Sequence, residues 1–158
     1  MNNQLSADSV EWWMARLLRQ AHRTGNDGDV PVTAVILNQL GHCIGWGRNC
    51  RERTKDPMGH AELVALRQAS HLQSSWRFNQ CTIIVTLEPC TMCSGALLQA
   101  RMSTVIYGTS DYKRGGLGGT LDLSKQDNAH HKMSIIGGIK SKQSRELLET
   151  WFRKRRSL

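Results

Sequence analysis

Two short stretches carry residue types that can do chemistry together: Asp56-Pro57-Met58-Gly59-His60-Ala61-Glu62 and Glu88-Pro89-Cys90-Thr91-Met92-Cys93. His60, Cys90 and Cys93 offer one imidazole nitrogen and two thiolates, a donor set suited to Zn²⁺. Cys90 and Cys93 are three residues apart, so they share one face of a helix, and a helix N-terminus favours the deprotonated thiol. Three protein ligands leave a tetrahedral zinc one position for water, whose pKa the metal lowers to about 7. Glu62 then has a task, because a carboxylate beside that water but off the metal can take its proton and pass it on. The spacing makes a demand: His60 and Glu62, two apart, diverge on a regular helix, and converge only if His60 projects from the first turn. Two blander readings use the same residues. A structural zinc site would draw a fourth ligand from Cys43, Cys50 or Cys81 and leave Glu62 without a role. A dithiol redox pair at Cys90 and Cys93 would leave both His60 and Glu62 idle.

The elements that must hold these residues follow from periodicity. Asp8 with Glu11 reads as a capping box, and Val10, Trp13, Met14, Leu17, Leu18 and Ala21 recur at helical spacing, so a first helix is expected to about Arg23, broken by Gly25 to Asp29. Val30 to Leu37 and Cys43 to Gly47 read as a hairpin around the turn Asn38 to Gly41. Asp56-Pro57 predicts the start of a helix to about Ser70, with Asp as cap and Pro in the first turn. Strands are expected over Cys81 to Leu87, Val105 to Gly108 and, more weakly, Met133 to Ile139. Helices are expected from Cys90 to Arg101 and from about Ser141, the last with Leu147, Leu148, Trp151 and Phe152 on one face. Strands alternating with helices predict an α/β layered sheet.

The chain has 158 residues, 39% hydrophobic and 22% charged, which is the composition of one globular domain spanning 1–158. No apolar run nears the ~18 residues of a membrane span, and Met1 to Ser9 lacks a basic-then-apolar pattern. Five cysteines without an export signal point to a reduced, cytoplasmic protein. The net charge of +8 is concentrated in two places. Arg48, Arg51, Arg53 and Lys55 against Glu52 give +3, and the segment from Lys140 to Leu158 gives +5, so the remainder is neutral. Two basic patches on a neutral body suit a polyanion, most simply a nucleic acid, although solvated helix ends look the same. His22, His42 and His71 read as surface residues, while His130 and His131 lie in a polar segment that meets either a ligand or water.

At the two half-motifs the sequence resembles the cytidine deaminase superfamily and, within it, the bacterial tRNA adenosine deaminases. The resemblance runs from Trp13-Met14 to Arg156 and includes Val30-Pro31-Val32, Thr86-Leu87-Glu88, Gly95-Ala96, Tyr107-Gly108 followed by Asp111, Lys113 and Gly115, and the ending Phe152-Arg153-Lys154-Arg155-Arg156. It implies a three-layer α/β/α sandwich around a five-stranded mixed sheet. It also implies one zinc per chain held by His60, Cys90 and Cys93, catalysis by Glu62, a homodimer, and hydrolysis of the wobble adenosine of a tRNA anticodon stem-loop to inosine. Asn49 matches the asparagine that holds the target base, Asp111 matches a loop residue on the sugar-phosphate of the flipped nucleotide, and Lys113, Phe152, Arg153 and Arg156 match RNA-facing positions. The chain departs from the family pattern at Thr33, Arg48, Gly59 and Gly119. Free guanine and cytosine deaminases share the zinc motifs but usually lack the Asp111 loop and the basic ending. A deaminase of such a free base or nucleoside is the second reading. A non-catalytic RNA-binding zinc protein is the third, and it gives Glu62 nothing to do.

Overall fold

In the computed structural model, which describes residues 5–157, the strands are β1 (Thr33–Leu37), β2 (Cys43–Arg48), β3 (Thr82–Leu87), β4 (Thr104–Thr109) and β5 (Ser134–Ile136). They form one sheet in the order β2-β1-β3-β4-β5. β1 is antiparallel to β2 and β3, and β3, β4 and β5 run parallel, so the sheet is mixed. Helices α1 (Ala7–Asn26) and α5 (Ser141–Arg156) lie on one face, and α3 (Ala61–Gln73) and α4 (Thr91–Gln99) on the other. A short helix, α2 (Arg51–Thr54), precedes α3. The strand period sorts the core. Val35, Leu37, Ile84 and Ile106 pack against Val10, Met14 and Leu17 of α1, while Ala34, Ile36, Ile83, Val85 and Val105 face Ala61, Ala65, Ala69 and Leu97. With helices on both sides, all five residues of β1 are buried, which explains its unbroken Thr-Ala-Val-Ile-Leu run. No helix among the described residues is long and apolar enough to cross a membrane.

Contact between α3 and β2 sets the position of the site. A Cβ on Gly47 would stand 2.1 Å from the Ala61 carbonyl oxygen, and one on Gly45 2.4 Å from that of Ala65. The helix backbone therefore rests directly on the strand, and its first turn, between His60 and Glu62, is fixed by the missing side chain at Gly47. Gly47→Ala forces that turn outward; the expected cost is about 1–3 kcal/mol of stability in denaturant unfolding, the range of overpacked cores. Unchanged unfolding would show that the contact is looser than described.

Several elements differ from expectation. Ser6, not Asp8, caps α1: its side-chain oxygen accepts from the Ser9 N–H at 3.1 Å, which puts Asp8 inside the first turn. The helix runs past Gly25 because that glycine is where the Trp151 indole of α5 docks. A Cβ there would lie 2.9 Å from the ring, and the Gly25 carbonyl accepts from Trp151 Nε1 at 2.9 Å. Asp56-Pro57 starts no helix; Asp56 Oδ1 accepts from the Met58 N–H at 2.9 Å, an Asx turn, and α3 begins at Ala61. Strand β1 begins after Pro31, which has no N–H to pair, and β5 keeps only three residues before Gly137-Gly138, the latter at φ 93°. On α5, Leu148 is buried and Leu147 and Trp151 are half-buried, but Phe152 is exposed and meets Trp151 edge-on, so it leaves the expected apolar face.

Candidate active site

Both half-motifs occupy helix starts. His60 is the N-cap of α3 with extended backbone (φ −84°, ψ 145°), and Cys90 is the N-cap of α4 (φ −67°, ψ 173°). His60 thus precedes the first turn instead of projecting from it as expected, and its imidazole leaves the chain before helical periodicity begins while Glu62 already belongs to the helix. The expected Cys90-to-Arg101 helix is thus Thr91–Gln99, with Cys90 just outside it and Cys93 in its first turn. His60 Nδ1 lies 3.6 Å from Cys90 Sγ and 3.5 Å from Cys93 Sγ, and all three donor atoms fall within 4.8 Å of one another. Tetrahedral zinc with Zn–S of ~2.3 Å and Zn–N of ~2.0–2.1 Å places sulfur and nitrogen ~3.6 Å apart, so the residues fit the metal as they stand. Among the described residues this is the only group of three or more His, Cys, Asp or Glu side chains placed to hold a metal ion. Cys43, Cys50 and Cys81 lie outside it, so no fourth sulfur closes the site.

Protonation at the site follows from burial and proximity. Glu62 is buried, and desolvation pushes its carboxyl up to about 7, with the Cys90 charge adding to the shift and the His60 charge opposing it. A carboxyl poised near neutrality both accepts and releases a proton at physiological pH. The hydrogen bond with Cys93 holds the Cys90 thiol down at about 4, with His60 contributing in the same sense. Cys93 is pushed up by that same hydrogen bond and by its burial. A divalent cation bound by His60, Cys90 and Cys93 would hold both sulfurs as thiolates.

Residues 7–109 match the family model described as the cytidine and deoxycytidylate deaminase zinc-binding region. The chain belongs to this deaminase family. It is 35% identical over 146 residues to the tRNA-specific adenosine deaminase of Haemophilus influenzae, covering 92% of this chain and 84% of that one. It is 32% identical over 151 residues to the tRNA-specific adenosine deaminase of Streptococcus pyogenes serotype M1, covering 96% and 88%. Among solved structures, a chain from biochemical and structural studies of A-to-I editing by tRNA:A34 deaminases at the wobble position of transfer RNA matches with a TM-score of 0.81 at 30% identity, covering 87% of this chain and 99% of that one. The three-layer architecture is the cytidine deaminase-like fold, and zinc is the cofactor of this deaminase.

In the deaminase, backbone contacts link the segments of two further expected residues to those that carry the metal donors. Asn49 follows β2 and is buried; its Oδ1 accepts from the Arg51 N–H at 3.0 Å, which leaves the amide N–H₂ to donate. The next residue, Cys50, donates its N–H to the Gly59 carbonyl beside His60, at 2.8 Å. Asp111 opens a loop whose Gly115 bridges to Cys90, and its Oδ1 accepts from the N–H groups of Lys113 and Arg114, each at 3.0 Å. Lys113 is exposed on the same loop. Phe152, Arg153 and Arg156 are exposed at the end of α5. Their helix is tied to the last turn of α1 by Trp151, through the Gly25 carbonyl, and to the turn after α1 by Arg155, which donates to the Gly28 carbonyl. The first basic segment meets the same turn: Arg48 pairs with Asp27 at 2.5 Å, and Asp29 accepts from the Glu52 N–H at 2.7 Å. The first basic segment and the C-terminal end of the second thus meet at one turn of the deaminase, while Lys140 at the other end of α5 pairs with Glu11. His131 is used internally, with Nε2 2.8 Å from the Met102 carbonyl.

Three of the positions expected to depart from the resembled pattern make close local contacts. Thr33 donates its hydroxyl to the Leu17 carbonyl at 2.7 Å, pinning α1 to the sheet. A Cβ at Gly59 would stand 3.0 Å from both the Arg51 nitrogen and the Asp56 oxygen, and one at Gly119 2.0 Å from the Asp111 oxygen. Glu88 has no role in the motif chemistry, yet its buried carboxylate accepts from three backbone N–H groups of the Asp111 loop. The signal was available: a charged residue ending a buried strand must find partners.

Proposed function

We propose that this chain is a hydrolase that converts adenosine to inosine at the wobble position of a tRNA anticodon, with zinc held by His60, Cys90 and Cys93. The observation that carries the reaction class is the buried Glu62 carboxyl, in the first turn of the helix that His60 caps, at the group of three donor atoms. The substrate rests on the names of the relatives and on the meeting of the first basic segment with the C-terminal end of the second. Zinc, when bound, supplies a Lewis acid that makes water a nucleophile near neutral pH. Glu62 takes a proton from the attacking water and gives it to ring N1 of the adenine. It then relays the second proton to the amine leaving C6, so that adenosine and water become inosine and ammonia. Asn49 orients the base through its free amide N–H₂. Asp111 and Lys113 hold the sugar-phosphate, and Phe152, Arg153 and Arg156 meet the flanking RNA. An anticodon loop presents its adenosine unpaired, which lowers the cost of extruding it.

The same reading takes the whole chain as one deaminase domain that works as a cytoplasmic homodimer, and light scattering is expected to return twice the chain mass. The deciding experiment incubates the zinc-loaded protein with total tRNA and maps inosine, with free adenosine, cytosine and guanine as parallel substrates. Inosine at the wobble position is expected; turnover of a free base alone overturns the substrate assignment. Salt gives a second check. With ~6 phosphate contacts, affinity for tRNA falls ~10³-fold or more between about 50 and 200 mM salt, whereas a neutral base is indifferent. A flat salt response would contradict an RNA substrate.

A further inference from the structure

We propose that Glu88 is a positioning residue whose carboxylate braces the Asp111–Gly119 loop against the strand end that carries Cys90. It is 1% exposed, and among the described residues it forms no ion pair. Its charge is met instead by backbone donors from the loop. Oε2 accepts from the Asp111 N–H at 2.8 Å, and Oε1 accepts from the N–H groups of Leu117 at 3.0 Å and Gly119 at 2.8 Å. Its own N–H donates to Thr109 at the end of β4, at 2.9 Å. The loop closes around this carboxylate so tightly that a Cβ on Gly115 would lie 2.4 Å from its carbon, and one on Gly119 2.5 Å from Oε2. Two residues along the chain, Cys90 pairs with Gly115, and the Pro89 carbonyl accepts from the Gly116 N–H at 2.9 Å.

A buried charge is costly, and an apolar side chain would fill the space; what the carboxylate adds is selection of one loop conformation. Both ends of the loop hang from one side chain, and that side chain stands two residues from a metal donor. Asp111 and Lys113 are therefore held at a fixed distance from the site where the base reacts. Glu88 touches neither metal nor base and acts through the loop. This inference rests on the RNA reading above, in which Asp111 and Lys113 meet the substrate backbone.

Glu88→Gln preserves shape but turns an N–H₂ toward at least one backbone N–H, so one end of the loop is released. Faster hydrogen exchange is expected at the Asp111, Leu117 and Gly119 amides, together with faster trypsin cleavage after Lys113 or Arg114. KM for an anticodon stem-loop RNA is expected to rise about tenfold or more, the scale of one hydrogen bond to a charged group, while kcat and zinc content stay near wild type. Should Glu88→Gln fail to fold, Gly119→Ala drives a methyl group against the Asp111 carbonyl and Glu88 Oε2 while leaving the Glu88 carboxylate in place, and the same pattern is expected. Unchanged amide exchange in a folded variant overturns the brace. Loss of kcat or zinc with KM unmoved overturns the positioning role and makes Glu88 a support of the metal site. A wild-type protein inactive on the RNA overturns the functional reading itself, and the amide exchange still decides the brace separately.

Discussion

Glu62→Ala loses turnover on tRNA by at least 10²–10⁴-fold while the protein still binds one zinc per chain, because a positioned general acid–base contributes on that scale and Glu62 is not among the three metal donors. No other described carboxylate lies among the metal donors to take over the proton, so the residual rate reflects binding and the metal alone. The variant is expected to fold, since alanine is the best helix former and the side chain removed is a buried carboxyl that forms no ion pair among the described residues. Glu62→Gln keeps the volume but has no proton to relay, and falls with Glu62→Ala rather than with the wild type. Inosine formation under single-turnover conditions, beside metal analysis of the same preparations, checks both statements. Near-normal turnover in either variant would remove Glu62 from the reaction.

Cys90→Ser and Cys93→Ser lose the metal instead. A serine hydroxyl is harder and far less acidic than a thiol, and one missing thiolate leaves two donors for a site that needs three. The loss also registers in stability. Zinc at a hundredfold over its Kd contributes about 2.7 kcal/mol to the folded state, so chelation lowers the Tm of the wild type and leaves that of either variant unchanged. Activity vanishes together with zinc in these variants, in contrast to Glu62→Ala, where it vanishes alone. Stoichiometric zinc in Cys90→Ser would exclude Cys90 as a ligand.

The sequence exposes the donor set plainly because metal chemistry permits few residue types and each half-motif is local. How His60 and Glu62 converge was not readable from it. Asp56-Pro57 carries a helix-start signature, yet tertiary structure uses it as an Asx turn and defers the helix to Ala61, and only that shift gives His60 the extended backbone it needs. Gly25 reads as a helix breaker by propensity, but the Trp151 indole 126 residues away makes it a docking site inside α1. The role of Glu88 depends on a loop that begins 23 residues downstream, a pairing no local pattern encodes. The core strands were legible for the opposite reason: burial on both faces leaves an apolar run that survives any change in loop geometry.

X-ray absorption at the zinc edge of the loaded protein tests the central assignment most directly. The geometry predicts two sulfurs at ~2.3 Å and two lighter atoms at ~2.0–2.1 Å, one of them a histidine nitrogen. A third sulfur in the coordination shell would mean a closed, structural zinc, and would contradict an active site built around Glu62.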